Sequence, residues 1–502
     1  MLGFRWGGSR AGAAAWFVTV IVAVLFFGAT PRLLGYSQVK AILLSLDVLY
    51  IVWTALLLFH VASDAGAIKI IGDSLRSLNR DRTIQGLLLG WLFASFLQGF
   101  GGFGVPVAVT APLLVGVGFT PIQAVVMACV GHGWAVNFGS MAISFQTMMA
   151  VTNLPGEYLA HDSAILGAIA CLCCGSLVAL IAGGWKGFKN TFAFILPVSL
   201  VIGVAQYLLA TNRMWVIGST GGTMAGLLLS LVLLRLPYFK RLGEGQKETQ
   251  ELIPEGARKK SLPVALSVYV VLMILTFSIN LVPVISNFIN NTKYTLNFPE
   301  LQTTLGWITP VEMGREINIF GHPGAILFYS SVFAFLIYSK ANYYRPNALS
   351  RILKRVIRGA INSSLGVVTM VGMAVVMSHT GMTNILAEGL SHVFGAVMYP
   401  VVAPLIGALG AFITGSNNNS NVLFAVLQMR AAELLGLRVP LILGAQTVGG
   451  SLGSIMAPTK VIVGCSTVGL GNNEGMVMRK VVIYGIIPIL FISLVTGLFV
   501  WL

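Results

Sequence analysis

Four short stretches of this sequence carry residues whose types and spacing could do chemistry. The run TGSNNNSN (414–421) sets Ser416, Asn417, Asn418, Asn419, Ser420 and Asn421 between apolar flanks. Such neutral donors and acceptors grip a carboxylate or hydroxyl without burying a permanent charge. The run GGFGVP (101–106) offers Gly102, Phe103, Gly104 and Val105, where glycines let a ligand approach the backbone closely. A third stretch holds His132, Asn137 and Ser140, and a fourth holds Gln446, Thr447, Ser451, Ser454 and Lys460. His132 falls deep in an apolar segment, where an ionisable group marks a functional site by default, and its titration range suits a proton carrier. The competing reading is a neutral histidine bonded to a neighbouring carbonyl. Asp47 is a second proton-coupling candidate, with no obvious partner in sequence. Lys460 is a third, and either gives a cation to an anion site or snorkels to the membrane edge. Arg430 and Glu433, three apart on one helix face, read as a local ion pair.

No catalytic motif accompanies these residues. The chain has no HExxH and no Walker phosphate loop, and its bare GxSxG (449–453), CxxC (171–174) and GxGxxG (99–104) strings lie inside apolar runs. It is therefore read as a non-enzyme with no cofactor, no metal and no catalytic residues. Cys129, Cys171, Cys173, Cys174 and Cys465 all lie in apolar stretches and read as small membrane residues.

The elements that position these residues must be membrane helices. Of 502 residues, 56% are hydrophobic and 9% charged, far below the charge of a soluble domain. Apolar runs near the length that crosses hydrocarbon fall at about 12–30, 41–63, 121–151, 163–183, 191–210, 214–234, 263–285, 323–339, 359–378, 440–465 and 477–502. Two further apolar regions, 84–119 and 396–435, are broken near their middles by the glycine and asparagine runs. The first span is expected to stay as a permanent helix, since no small-x-small cleavage pattern follows it.

The surplus of 15 positive charges gives the orientation rather than a nucleic-acid partner. Seven basic residues lie in 235–260 and six in 340–358, so both segments are expected to face the cytoplasm. Working outward from them, the amino terminus, 69–82, Lys186 with Lys189 and Arg479 with Lys480 also fall inside, which gathers 23 of the 31 basic residues there. Segments 152–162 and 286–322 come out external. Each broken region must then enter and leave from one side, 84–119 from the cytoplasm and 396–435 from outside.

Two re-entrant hairpins of opposite sense are what an inverted-topology repeat produces. A sequence echo agrees: Pro121 leads to VGHG (130–133) and GSMA (139–142), while Pro440 leads to VGGS (448–451) and GSIMAP (453–458). An amphipathic stretch precedes each hairpin, at 68–75 and 384–391. The expected fold is thus all-α and polytopic, with two re-entrant hairpins and about 11 full transmembrane helices. Residues 1–237 form the first half, 238–262 a cytoplasmic linker and 263–502 the second half. Unwound backbone survives at membrane depth only where protein or a polar cavity satisfies it. The two broken tips therefore mark a midplane cavity, and helix amino termini aimed into it favour an anion.

At these residues the sequence resembles the L-lactate permease family of bacterial and archaeal secondary transporters. The matching stretches are GFGVPVAVTAPLLVGVGF (102–119), TGSNNNSNVLF (414–424) and AQTVGGSLGSIMAPTKVIVGCSTVGL (445–470). One departure is GHGWAVNFGS (131–140), where His132 and Trp134 replace smaller residues. The resemblance implies uptake of lactate, and often glycolate, coupled to protons across the plasma membrane. The expected partners are a small carboxylate, protons and the lipid bilayer, with no nucleic acid and with room for a homodimer. A sodium-coupled carboxylate carrier is the nearest alternative, since hairpin carbonyls and Asn oxygens also suit a hard cation.

Overall fold

The computed structural model describes residues 8–100, 102, 104–243, 261–289, 292–313, 317–470 and 474–501. Helices dominate it, and their starts are written in the sequence. The helix α1 (Gly8–Phe27) leads to α2 (Pro31–Asp64), which opens on Pro31 with the Thr30 hydroxyl capping the Leu33 amide. After the amphipathic α3 (Ala67–Arg76) comes the first hairpin. Its descending arm is α4 (Arg82–Gly86), a π-helical stretch (Leu87–Phe93) and α5 (Ala94–Phe100), and its return arm is α6 (Val105–Gly116). Both ends meet, because the Arg82 guanidinium donates to the Gly118 carbonyl at 3.0 Å.

Next come α7 (Pro121–Gly131), α8 (Ile143–Thr152) and the long α9 (Gly156–Thr211). The last of these turns at Gly184, whose φ of 62° suits a residue without a Cβ. The middle of the chain is α10 (Gly218–Leu233), α11 (Pro237–Gly243), α12 (Leu262–Leu281) and α13 (Pro283–Ile289). Most of the expected linker, 244–260, lies outside the described residues. An antiparallel ribbon follows, built from nested two-residue pairings such as Lys293 with Asn318 and Leu301 with Thr309. It docks on the end of α1, where the Thr304 amide donates to the Gly28 carbonyl at 2.8 Å.

The chain then repeats itself. It runs through α14 (Pro323–Lys340), α15 (Ala348–His379), α16 (Met382–Thr414), α17 (Asn417–Leu434), α18 (Val439–Ser454), α19 (Pro458–Thr467) and α20 (Glu474–Trp501). Gly395, at φ 59°, divides α16 into an amphipathic segment and the descending arm of the second hairpin. The packing is reciprocal throughout. Helix α1 lies against α15 and α14 against α2, α7 against α20 and α18 against α9, and the return arms cross over, α6 onto α19 and α17 onto α8. This is the arrangement of two related copies about a twofold axis, and it explains the sequence echo. Gly131 of α7 and Gly449 of α18 each press on the descending arm of their own hairpin. A Cβ there would stand 1.9 Å from the Gly90 oxygen and 2.1 Å from the Pro404 oxygen.

Two expectations change. The spans 121–151 and 440–465 are not continuous: the first breaks between Gly131 and Ile143, the second at 455–457. The asparagine run is also not an unwound tip. The turn is made by Gly415 and Ser416, and Asn417 to Asn421 form the first turn of α17.

The outside of the molecule is apolar. Leu196, Leu200, Val204 and Leu208 repeat every four residues on α9 and are 47 to 66% exposed, a stripe suited to hydrocarbon rather than water. Six helices among the described residues are long and apolar enough to cross a membrane. Polar side chains are instead gathered inside, around α18, which is buried along its whole length from Pro440 to Ser454.

Candidate functional site

Because α7–α8 and α18–α19 are both interrupted, their broken ends and the hairpin tips share one interior region. Gly133 of the first break lies against Leu452 and Ile455 of the second, Gly102 of the first tip against Ser140, Gly104 against Val463 of α19, and Gly415 of the second tip against Thr459. Broken helices expose end groups that must be satisfied. The first break does this with its own amides: Ser140 N–H donates to the Gln98 carbonyl at 2.7 Å and Met141 N–H to the Gly99 carbonyl at 3.1 Å. Its backbone is bent for the purpose. Ser140, Met141 and Ala142 take successive φ values of 47°, 59° and 57°, a left-handed turn of three non-glycine residues that costs roughly 1–2 kcal/mol at each.

The first turn of α17 builds the centre of the site. Asn417 and Asn421 are four apart and so share a face. Asn417 Nδ2 donates to Ser451 Oγ (2.9 Å) and Thr447 Oγ1 (3.3 Å), and Asn421 Nδ2 donates to Thr447 Oγ1 (2.8 Å) and the Ser144 carbonyl (2.9 Å). Thr447 passes its own proton to Asn137 Oδ1 at 2.7 Å, which ties the second hairpin to the first break. Asn418 accepts from Thr147 of α8. Deeper in, Ser420 Oγ donates to the Gly407 carbonyl at 2.7 Å and accepts from Gln446 Nε2 at 3.1 Å, and Gln446 Oε1 accepts from Gln428 Nε2 at 3.0 Å. On the first tip's side, Gln98 Nε2 donates to Ser140 Oγ at 3.2 Å.

The network is incomplete in a specific way. Asn137 Nδ2, Asn417 Oδ1, Asn421 Oδ1, Gln98 Oε1 and His132 Nε2 are buried with no hydrogen-bond partner among the described residues. Each such group left alone costs about 1–3 kcal/mol. One free donor, Asn137 Nδ2, and two free acceptors, Asn417 Oδ1 and Asn421 Oδ1, belong to the three side chains bonded to Thr447, and such a set can pair with a carboxylate oxygen and a hydroxyl.

The ionisable candidates separate. His132 is not eleven residues into a continuous helix but caps the end of α7. Its Nδ1 lies 2.6 Å from the Ala128 carbonyl, so that nitrogen carries the proton and Nε2 holds the unpaired lone pair. Lys460 does not snorkel: it is 5% exposed, in the first turn of α19, and its Nζ donates to Ser454 Oγ at 3.0 Å. Asp47 lies in α2, but its side chain is outside the described residues, as is Phe103 altogether.

Of the other expected residues, Gly102, Gly104 and Val105 line the first turn as read, and Ser416 caps α17. Asn419 is half-buried and takes no part in the network. Arg430 and Glu433 pair at 2.8 Å, and the five cysteines are free. Sequence reasoning missed Gln98, Ser144, Thr147 and Gln428. Gln428 was reachable, because it follows Asn421 by seven residues and so lies on the same helix face; Ser144 and Thr147 needed the crossover packing of α17 on α8.

A family model described as L-lactate permease matches residues 1–502. The L-lactate permease of Halalkalibacterium halodurans is 26% identical, over 98% of this chain and 93% of its own length. That of Escherichia coli K12 is 26% identical over 97% and 91%, and that of Bacillus subtilis 25% identical over 98% and 92%. Among solved structures, the Alcanivorax borkumensis YdaH transporter, described as having an unusual topology, matches with a TM-score of 0.52 and 13% identity over 99% of this chain and 98% of that one. That likeness is one of fold.

Proposed function

Since the chain belongs to the L-lactate permease family, we propose that it imports a small 2-hydroxymonocarboxylate, L-lactate foremost, by proton symport across the plasma membrane. It is a multi-pass membrane protein and a transporter rather than an enzyme. The observation that carries the substrate reading is the set of unpaired buried atoms around Thr447. Asn137 Nδ2 offers a donor to the carboxylate, and of the acceptors Asn417 Oδ1 and Asn421 Oδ1 one takes the single proton of the 2-hydroxyl. A ligand with only a carboxylate leaves those acceptors unpaired, and sites built around such groups discriminate strongly against the analogue that lacks the partner. D-lactate and glycolate carry the same two groups and are the natural competitors.

The reciprocal halves support alternating access, with each hairpin closing the site from one side. The ion pairs support the grouping of segments by side, while the basic residues carry the orientation with the amino terminus inside. Asp64 joins Arg351 at 2.7 Å between two segments assigned to the cytoplasm, and Asp162 joins Arg438 at 2.7 Å between two assigned outside. Proton coupling makes the loaded step electroneutral, where an uncompensated anion would work against about 2.3 kcal/mol per 100 mV. The free carbonyl oxygens of Asn417, Asn421 and Gln428 are also of the kind that binds a hard cation, which keeps sodium coupling as the second reading. Purified protein in liposomes decides between them. Accumulation of L-lactate under an inward proton gradient without sodium is expected; uptake that needs sodium and ignores pH favours the second reading.

A further inference from the structure

We propose that Lys460 is the group on which proton and carboxylate meet, so that one side chain both binds the anion and couples its movement to the proton. The inference rests on the lactate-symport reading and names the residue that performs it. Lys460 is 5% exposed. Its one hydrogen-bond partner among the described residues is the neutral Ser454 hydroxyl, and among those residues no carboxylate stands within 4 Å of its Nζ. An ammonium in that position has two unused donors and no counter-charge, an arrangement that an interior disfavours strongly unless an anion joins it.

The surroundings show where the anion would sit. Lys460 follows the α18–α19 break, beside Thr459, which faces the second hairpin tip at Gly415. Ser454, its partner, donates to the Ser451 carbonyl at 2.8 Å, and Ser451 Oγ accepts from Asn417 Nδ2. A three-link chain thus joins the lysine to the asparagine face of α17. The groups facing Lys460 are few. Helix α7 presents Cys129 and His132, whose electrostatic environments both include the lysine. Helix α6 has no titratable residue, and α20 carries Glu474, Arg479 and Lys480 on its first two turns, none of them an ion-pair partner of Lys460.

The cycle balances. On the outer side the neutral amine takes one proton as one carboxylate arrives, and the ammonium–carboxylate pair crosses with no net charge. Inside, the carboxylate leaves, the proton follows, and the amine returns uncharged. Proton and anion each raise the affinity for the other, as linkage requires, and one of each moves per turn.

The test compares lactate exchange, with substrate on both sides of the liposome, with net accumulation driven by a proton gradient. Lys460→Arg keeps a cation that does not deprotonate. It is expected to hold exchange within about threefold while accumulation falls by about tenfold or more and loses its pH dependence, a split in the range of ordinary coupling energies. Lys460→Gln is expected to weaken lactate binding. Full accumulation by Lys460→Arg, or unchanged binding by Lys460→Gln, overturns the inference. Should the lysine variants not fold, the unsubstituted protein in weakly buffered detergent is expected to take up protons, toward one per L-lactate bound; binding without uptake overturns the proposal. No lactate binding or transport by the unsubstituted protein overturns the transport reading itself.

Discussion

At the first hairpin tip the described residues, Gly102 and Gly104, carry no side chain, whereas at the second the chain turns at Gly415 and presents side chains from the opening turn of α17. The breaks that face them differ in the opposite direction. The first break is long and left-handed and carries His132, Asn137 and Ser140; the second spans three residues of ordinary conformation and leads directly to Lys460. What the two halves share is the packing of helix on helix, carried by Gly131 and Gly449. What they do not share is the chemistry, which is gathered on the second hairpin and answered from the first break. The same reciprocal packing thus carries two different sets of polar side chains.

The largest expected effect is on the shared part. Gly131→Ala and Gly449→Ala each drive a methyl to within about 2 Å of a backbone oxygen that has no rotamer to give. Each is expected to destabilise by about 3 kcal/mol or more, at or beyond the usual range for overpacking, seen as loss of monodisperse protein in detergent. Gly133→Ala is the control, since the nearest atoms to its Cβ belong to side chains, Ile455 at 3.2 Å and Leu452 at 3.4 Å, and not to backbone. If Gly131 tolerates Ala and Gly449 does not, the halves are not packed as equivalents.

Next in size is the unshared chemistry. Asn421→Ala removes two donated hydrogen bonds, to Thr447 Oγ1 and to the Ser144 carbonyl. L-lactate affinity is expected to fall by about tenfold or more, the equivalent of about 1.4 kcal/mol. Asn419→Ala, two residues earlier and outside the network, is expected to bind as the unsubstituted protein does. Equal losses from both, measured by titration in detergent, would show that the run acts through helix stability and not through one face.

Much of this was legible before any coordinates. Length and composition required a bilayer, and the asparagine run, Ser451 and Gln446 stood out because polar residues between apolar flanks need a reason. The breaks within 121–151 and 440–465 were not legible, for an apolar run reads alike whether its helix is continuous or interrupted. Gly131 and Gly449 were visible as an echo but not as contacts, since close approach depends on the partner backbone. Lys460 was undecided because burial and snorkelling differ in side-chain direction alone. Gln98 and Thr147 were out of reach, because their partners, Ser140 of the first break and Asn418 across the crossover, are brought to them only by tertiary packing.

The smallest effect isolates the difference between the breaks. Ala142 and Ala457 each follow a methionine, each precede the second half-helix as its N-cap, and each are fully buried. They differ in φ, 57° against −61°. Substitution by glycine removes the same methyl, worth about 0.8 kcal/mol of burial, and adds the same backbone freedom to the unfolded chain, about 0.5–1 kcal/mol. Only at Ala142 does it also relieve a left-handed residue, by about 1–2 kcal/mol. Ala142→Gly is therefore expected to leave stability nearly unchanged while Ala457→Gly lowers it, and the gap between the two unfolding free energies measures the strain held in the first break. Equal losses at the two positions would mean that the left-handed turn costs nothing, and that the first break is no more poised to rearrange than the second.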